Sequence, residues 1–249
     1  MRAPIRSVVV IVPARNEAAL IGRCLDAILA ARSFALERLS DEPPTITITV
    51  VAAACTDDTA MIAASVDGVR VIHTPDGNVG VARQAGVRFA LATTDEPRDN
   101  VWVANTDADS VVPQHWLLEQ INLAGLGVDV MLGTVRPDFA DLSAAHVRAW
   151  HATRKPVETS RSVHGANLGI RASHYLRAGG FRALAEHEDV DLIARCDKLG
   201  GTSFATDACE VMTSGRHHGR TPGGYARFLR VDLLARASNP DLSSTPATP

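Results

Sequence analysis

Short β-branched runs alternate with helical patterns through roughly the first hundred residues, and that alternation limits the folds open to this chain more than any other feature. "SVVVIVP" (7–13) has no polar alternation, as expected of a parallel strand covered on both faces. "NEAALIGRCLDAILAARS" then places Leu20, Ile21, Cys24, Leu25, Ile28 and Leu29 at three-and-four spacing, with Asn16 as the expected N-cap. The unit repeats: strand 45–53, helix from about Thr56 to Ser65 with Thr56 as its cap, strand 69–73, helix from about Val79 to Ala92, strand 101–105. Such a series predicts a mostly parallel sheet with right-handed crossovers. Ligands of these sheets bind at the carboxyl ends of the strands, here Pro13–Glu17, Ala52–Asp58 and Asn105–Asp109.

Beyond Val135 the pattern weakens. Residues 136–164 read as an irregular or partly helical, charge-rich excursion, 223–237 as a last amphipathic helix, and 239–249 as a disordered Pro/Ser/Thr-rich tail. One domain is expected over 1–238, in two halves of about 1–110 and 111–238. With 46% hydrophobic residues, the 249-residue chain can bury a full core. A net charge of -3 creates no field that would gather nucleic acid, so an anionic ligand needs a local site. The four cysteines have no metal-ligand spacing, and the apolar run Val8–Val12 is far short of the roughly 20 residues that span a bilayer. A cytoplasmic setting is therefore expected, with peripheral membrane contact left open.

The densest chemistry sits in "VWVANTDADSVVP" (101–113), where Asp107 and Asp109 flank one alanine at a strand end. Two repelling carboxylates there suit one hard cation, Mg²⁺ or Mn²⁺, which takes oxygen ligands and bridges to phosphates. The alternative is that either aspartate caps a helix starting near Pro113. In "EHEDVDLIARC" Asp189 has the character of a general base, or else decorates a helix N-terminus together with Glu186, Glu188 and Asp191. "SGRHHGRTPGG" (214–224) offers Arg216 and Arg220 to a diphosphate and His217 or His218 to a metal, or is a plain polar loop. Gly165, Gly179 and Gly180 allow tight turns or close approach of a ligand.

"VVVIVPARNEAALIGRCLDAIL", "ITVVAAACTDDT", "NVGVARQAG", "ANTDADSVV", "HGANLGIRASHYLRAGGF" and "EHEDVDLIARCDKLG" stand in the order found in family 2 glycosyltransferases, which the chain resembles over about residues 7–205. The resemblance implies the α/β GT-A fold, a Rossmann-like mixed, mostly parallel sheet flanked by helices. It also implies a nucleotide-diphospho-sugar donor, a divalent cation (Mn²⁺ or Mg²⁺) on the D-x-D, and inverting transfer to a hydroxyl acceptor. By matching positions it places Pro13, Arg15 and Glu17 in the nucleotide pocket and Arg83 near the nucleotide. It makes Asp109 the main metal ligand, with Asp107 beside it facing the donor. His218 is a further candidate ligand, Asp189 the base, and Asn167 a candidate sugar contact. The Q-x-x-R-W element of processive relatives is absent, which points to single transfers.

The resemblance breaks at Ala52 and Ala53, where the family commonly carries acidic residues that accept a hydrogen bond from the base. Either backbone groups and Arg15 recognise the base, or the protein is a binding relic. A nucleotidyltransferase is the other enzymatic alternative, although "VPARNEAAL" lacks the Gly-rich opening loop of that class.

Overall fold

A computed structural model of the chain describes residues 4–39, 41–154, 162–184, 186–217, 219 and 224–238. The elements are β1 (Ser7–Ala14), α1 (Ile21–Arg38), β2 (Thr45–Ala53), α2 (Thr59–Ala64), β3 (Val69–Thr74), α3 (Val79–Ala92), β4 (Val101–Asn105), β5 (Ser110–Val111) and α4 (Trp116–Gly125). There follow β6 (Val130–Pro137), α5 (Ala144–Thr153), β7 (Leu168–Arg171), α6 (Ala172–Arg177), α7 (Glu188–Lys198), β8 (Ser203–Thr213), α8 (Tyr225–Arg227) and α9 (Leu233–Ser238), the last two joined by a π-helical stretch, Phe228–Asp232.

Among the described residues the strands form one eight-stranded sheet in the order β3-β2-β1-β4-β7-β6-β8-β5. β1 pairs in parallel with β2 and β4, and β2 with β3. β7 is the antiparallel strand between β4 and β6, while β6 and β8 run parallel to each other. Because two antiparallel steps restore direction, the carboxyl ends of β1, β2, β4, β6 and β8 all reach the same edge. That edge carries the site.

The sequence of β1 explains its central place. Val8, Val10 and Val12 pack into one core with Ile21, Cys24, Leu25 and Ile28 of α1 and Trp116 and Leu117 of α4. Val9 and Ile11 face a second core with Val87 of α3 and Leu192 and Ile193 of α7. Every residue of the strand is buried, as a parallel strand covered on both faces requires. Burying each such valine or isoleucine is worth roughly 1.5–3 kcal/mol. A smaller cluster joins Trp150 of α5 to Leu229 and Leu233, so both Trp116 and Trp150 are core residues.

Two expected caps are corrected. α1 begins at Ile21 with Leu20 at its N-cap, and Asn16 instead takes a left-handed conformation, φ 54, with its Oδ1 accepting the Thr56 amide at 2.7 Å. α2 begins at Thr59, with Asp58 rather than Thr56 at its N-cap. The same physics explains both. The loops after β1 and β2 must satisfy each other's backbone polar groups across the site edge, and that competes with capping. No described helix is long and apolar enough to cross a membrane. The expected tail, 239–249, lies outside the described residues.

Candidate active site

A cavity of about 580 Å³ opens at the shared strand edge. Its walls come from the end of β1 (Pro13, Ala14, Arg15, Glu17), the start of α3 (Val79, Ala82, Arg83), the β4–β5 turn (Asp107–Asp109), the α7 N-terminus (Glu188, Asp189) and the end of β8 (Thr213, Ser214, Arg216). Eight of the expected residues, Pro13, Arg15, Glu17, Arg83, Asp107, Asp109, Asp189 and Arg216, are thus brought together. His218 and Arg220 lie outside the described residues.

Neither aspartate of the D-x-D caps α4, whose N-cap is His115 with no side-chain hydrogen bond. Each carboxylate instead meets a guanidinium. Asp107 Oδ1 lies 2.5 Å from Arg83 Nη2, and Asp109 Oδ2 lies 2.8 Å from Arg216 Nη2. Burial, reinforced by Asp107 and Glu17, pushes the Asp109 carboxyl up to about 6 against the pull of Arg216. Its Oδ1 also accepts from Thr213 Oγ1 at 3.3 Å, which fixes the side chain to the end of β8.

Arg83 is 2% exposed and lies between Asp107 and Glu188, its Nε 3.3 Å from Glu188 Oε1. Its Nη1 is buried with no hydrogen-bond partner among the described residues. Burial raises the Glu188 carboxyl while Arg83 pulls it down. Gly165 makes room for this arrangement, since a Cβ there would stand 2.4 Å from Arg83 Nη2. The Gly165 amide donates to Asp189 Oδ2 at 2.7 Å and the Val190 amide to Oδ1 at 2.8 Å, so Asp189 is aimed by two backbone groups. Carboxylate oxygens retain further lone pairs beyond one bond each. Gly179 and Gly180 turn the chain between α6 and α7 with φ of 81 and 69.

Asn167 is a correction. It is 0% exposed, its Oδ1 accepts from Trp116 Nε1 at 2.9 Å, and its amide donates to the carbonyls of Thr134 and Cys209, each at 2.9 Å. An amide so engaged braces β6, β8 and α4 below the cavity, and Asn167 is not among the residues that line it. Sequence reasoning missed Thr213, Ser214 and His164, which line the cavity. The first two close β8, whose buried Cys209, Val211 and Thr213 carry the period-two signal that could have found it. Burial lowers the His164 imidazole, favouring its neutral form.

Ala52 and Ala53 are buried at the end of β2, and Ala53 lines the cavity beside Arg15 and Gly77. That wall therefore presents methyl and backbone groups. Arg15 lies across Gly77, its Nη1 donating to the Gly77 carbonyl at 3.2 Å.

Asp107 and Asp109 are hard oxygen donors at one turn of one cavity, which suits Mg²⁺ or Mn²⁺. Among the described residues no group of three or more His, Cys, Asp or Glu side chains is placed to hold a metal ion. A Mg²⁺ or Mn²⁺ held there would take two protein oxygens, with its other positions open to waters and phosphate oxygens, as is common for Mg²⁺ sites.

Comparison with solved structures gives the same architecture. A mannosyltransferase of Pyrobaculum calidifontis, solved with GDP-Man and Mn²⁺, aligns over 98% of this chain at 22% identity and TM-score 0.63, and this chain covers 66% of it, just under two thirds. TarS of S. aureus in complex with UDP-GlcNAc aligns over 96% of this chain and 73% of its own, at 15% identity and TM-score 0.65. Glucosyl-3-phosphoglycerate synthase of M. tuberculosis aligns over 94% and 81%, at 19% identity and TM-score 0.51. At these identities the likeness is one of fold, the GT-A fold. No curated protein matches the sequence. The family model described as glycosyl transferase family 2 matches residues 9–186, from β1 through the antiparallel β7 to the threshold of α7, and by that match the chain is a glycosyltransferase of family 2.

Proposed function

We propose that the protein is a metal-assisted, inverting glycosyltransferase that moves a sugar from a nucleotide-diphosphate donor to a hydroxyl of a small-molecule or lipid-borne acceptor, one transfer per encounter. The observation that carries this reading is the meeting, in one cavity, of a D-x-D turn and an oriented carboxylate, Asp189, from a different element. The nucleotide lies along the ends of β1 and β2, where Pro13, Ala14 and Ala53 offer apolar contact and Arg15 and backbone groups offer polar contact. The diphosphate lies toward the β4–β5 turn, with Arg216 and the unpartnered Arg83 Nη1 as donors. Asp109 and Asp107 would hold the divalent cation, which when bound supplies charge neutralisation to the departing diphosphate.

Asp189 takes the proton of the acceptor hydroxyl as its oxygen bonds to the anomeric carbon and the bond to the diphosphate breaks. The backbone donors from Gly165 and Val190 hold the carboxylate at the required angle, and Arg83 fixes the neighbouring Glu188. Arg83 therefore ties the base-bearing helix to the D-x-D through one buried guanidinium. Asp189→Asn tests the assignment. Transfer should fall about 10²–10⁴-fold with donor binding retained, and unchanged transfer would remove Asp189 from the mechanism.

A further inference from the structure

Arg216 occupies the place where the proposed metal and diphosphate have to meet. Its guanidinium grips Glu17 with Nη1 to Oε2 and Nη2 to Oε1, both at 2.8 Å, and the same Nη2 lies 2.8 Å from Asp109 Oδ2. This is a fork-on-fork pair extended to a second carboxylate. The side chains of Glu17 and Asp109 are 7% and 13% exposed and that of Arg216 is 29%, so little water screens the cluster. The backbone beneath is anchored independently of the side chain. The Ser214 amide donates to the Asp109 carbonyl at 3.2 Å, and the Gly215 amide to Asp141 Oδ2 at 2.8 Å. Arg216 can therefore change partners by rotating its own side chain.

The charges give that rotation a direction. Among the described residues, the salt bridges of Arg83 and Arg216 link four carboxylates, of Glu17, Asp107, Asp109 and Glu188, to two guanidiniums. A divalent cation arriving alone must displace Arg216 from Asp109, and the guanidinium then loses a carboxylate without gaining another anion. When a nucleoside diphosphate arrives as well, its phosphate oxygens offer Arg216 a second bidentate partner, and Asp109 is released to the cation. Resting on the reading of Asp109 as a metal ligand, we propose that Arg216 is a resident counter-ion that competes with the divalent cation for Asp109. It thereby couples cation binding to the arrival of a diphosphate, and linkage requires the coupling to be reciprocal.

The proposal demands opposite signs from one substitution. Arg216→Gln should tighten binding of Mn²⁺ alone by about tenfold, weaken binding of GDP or UDP by about tenfold, and shrink the mutual enhancement of the two. Calorimetric titration with Mn²⁺ without nucleotide, then with nucleotide without and with Mn²⁺, reads all three. Arg216→Lys, which keeps a charge but loses the fork, should lie between wild type and Arg216→Gln in each titration. Adding Asp109→Ala to Arg216→Gln should cancel the gain in Mn²⁺ affinity. A residue that only holds the fold would lower both affinities together, and that result overturns the proposal. So does Mn²⁺ affinity unchanged in both single variants. If no nucleotide binds any form while Arg216→Gln binds Mn²⁺ more tightly, the counter-ion role stands and the donor assignment falls.

Discussion

Asp109 is held in a conflict between its burial and its pairing with Arg216. Its carboxyl is raised from 3.8 to about 6, so the native state holds the proton more tightly than the unfolded chain does and ionisation costs stability. The native state thus loses stability through this group as pH rises from about 4 to above 6. Asp109→Asn removes that penalty, and in metal-free buffer at pH 7.5 the variant should melt above wild type, by about 2–4 °C for each kcal/mol relieved. The difference should close as pH falls toward 4. A variant that melts lower at pH 7.5 would mean that the pair with Arg216 outweighs burial. Asn167 is the opposite case, a residue whose bonds are all internal. Asn167→Ala orphans Trp116 Nε1 and two carbonyls, at about 1–3 kcal/mol for each buried group left unpaired. The melting temperature should drop while the donor KM of the folded protein stays within about twofold. A raised KM with an unchanged melt would restore Asn167 as a sugar contact. Residue type alone made the two look alike, since each is a polar side chain within a motif of the resemblance, and what separates them is that Asp109 lines the cavity while Asn167 is bonded beneath it.

At the scale of elements, the parallel half of the sheet was legible because its strands are covered on both faces and read as unbroken apolar runs. β2 and β4 fall on the expected residues, and β1 and β3 match the expected runs within one residue at their ends. β7 was not legible. Its four residues pair antiparallel with strands distant in the chain, and no local pattern encodes that. The pairing of each D-x-D aspartate with its arginine was hidden for the same reason, Asp107 and Arg83 being 24 positions apart in the chain and Asp109 and Arg216 further still. The 3-10 turn Gly165–Asn167 joins these parts, because Gly165 touches both Arg83 of α3 and Asp189 of α7. Gly165→Ala should push Arg83 away from Asp107 and weaken donor binding by about tenfold, roughly 1.4 kcal/mol. Unchanged donor Kd would mean that Arg83 does not help to form the donor site.

Taken as a whole molecule, the sheet gathers strand ends from both halves of the chain at one edge. Order of motifs was therefore more informative than any motif alone. The family and the fold follow from that order, and the geometry adds what order cannot: each aspartate of the D-x-D carries its own arginine, and the Asp189 carboxylate is aimed by backbone groups. The nearly balanced net charge of -3 leaves attraction of a diphosphate to this local cluster. The nucleotide is the least legible part, because methyl groups at Ala52 and Ala53 stand where a carboxylate would have named a base. The central claim, a metal-assisted nucleotide-sugar site, is tested most directly by calorimetric titration of GDP-, UDP- and dTDP-linked sugars, with Mn²⁺ and again with chelator. The account predicts that one nucleotide class binds with Mn²⁺ and loses at least about tenfold in affinity, roughly 1.4 kcal/mol, when the metal is removed. Binding indifferent to the chelator, or no binding of any donor with Mn²⁺ present, would contradict it.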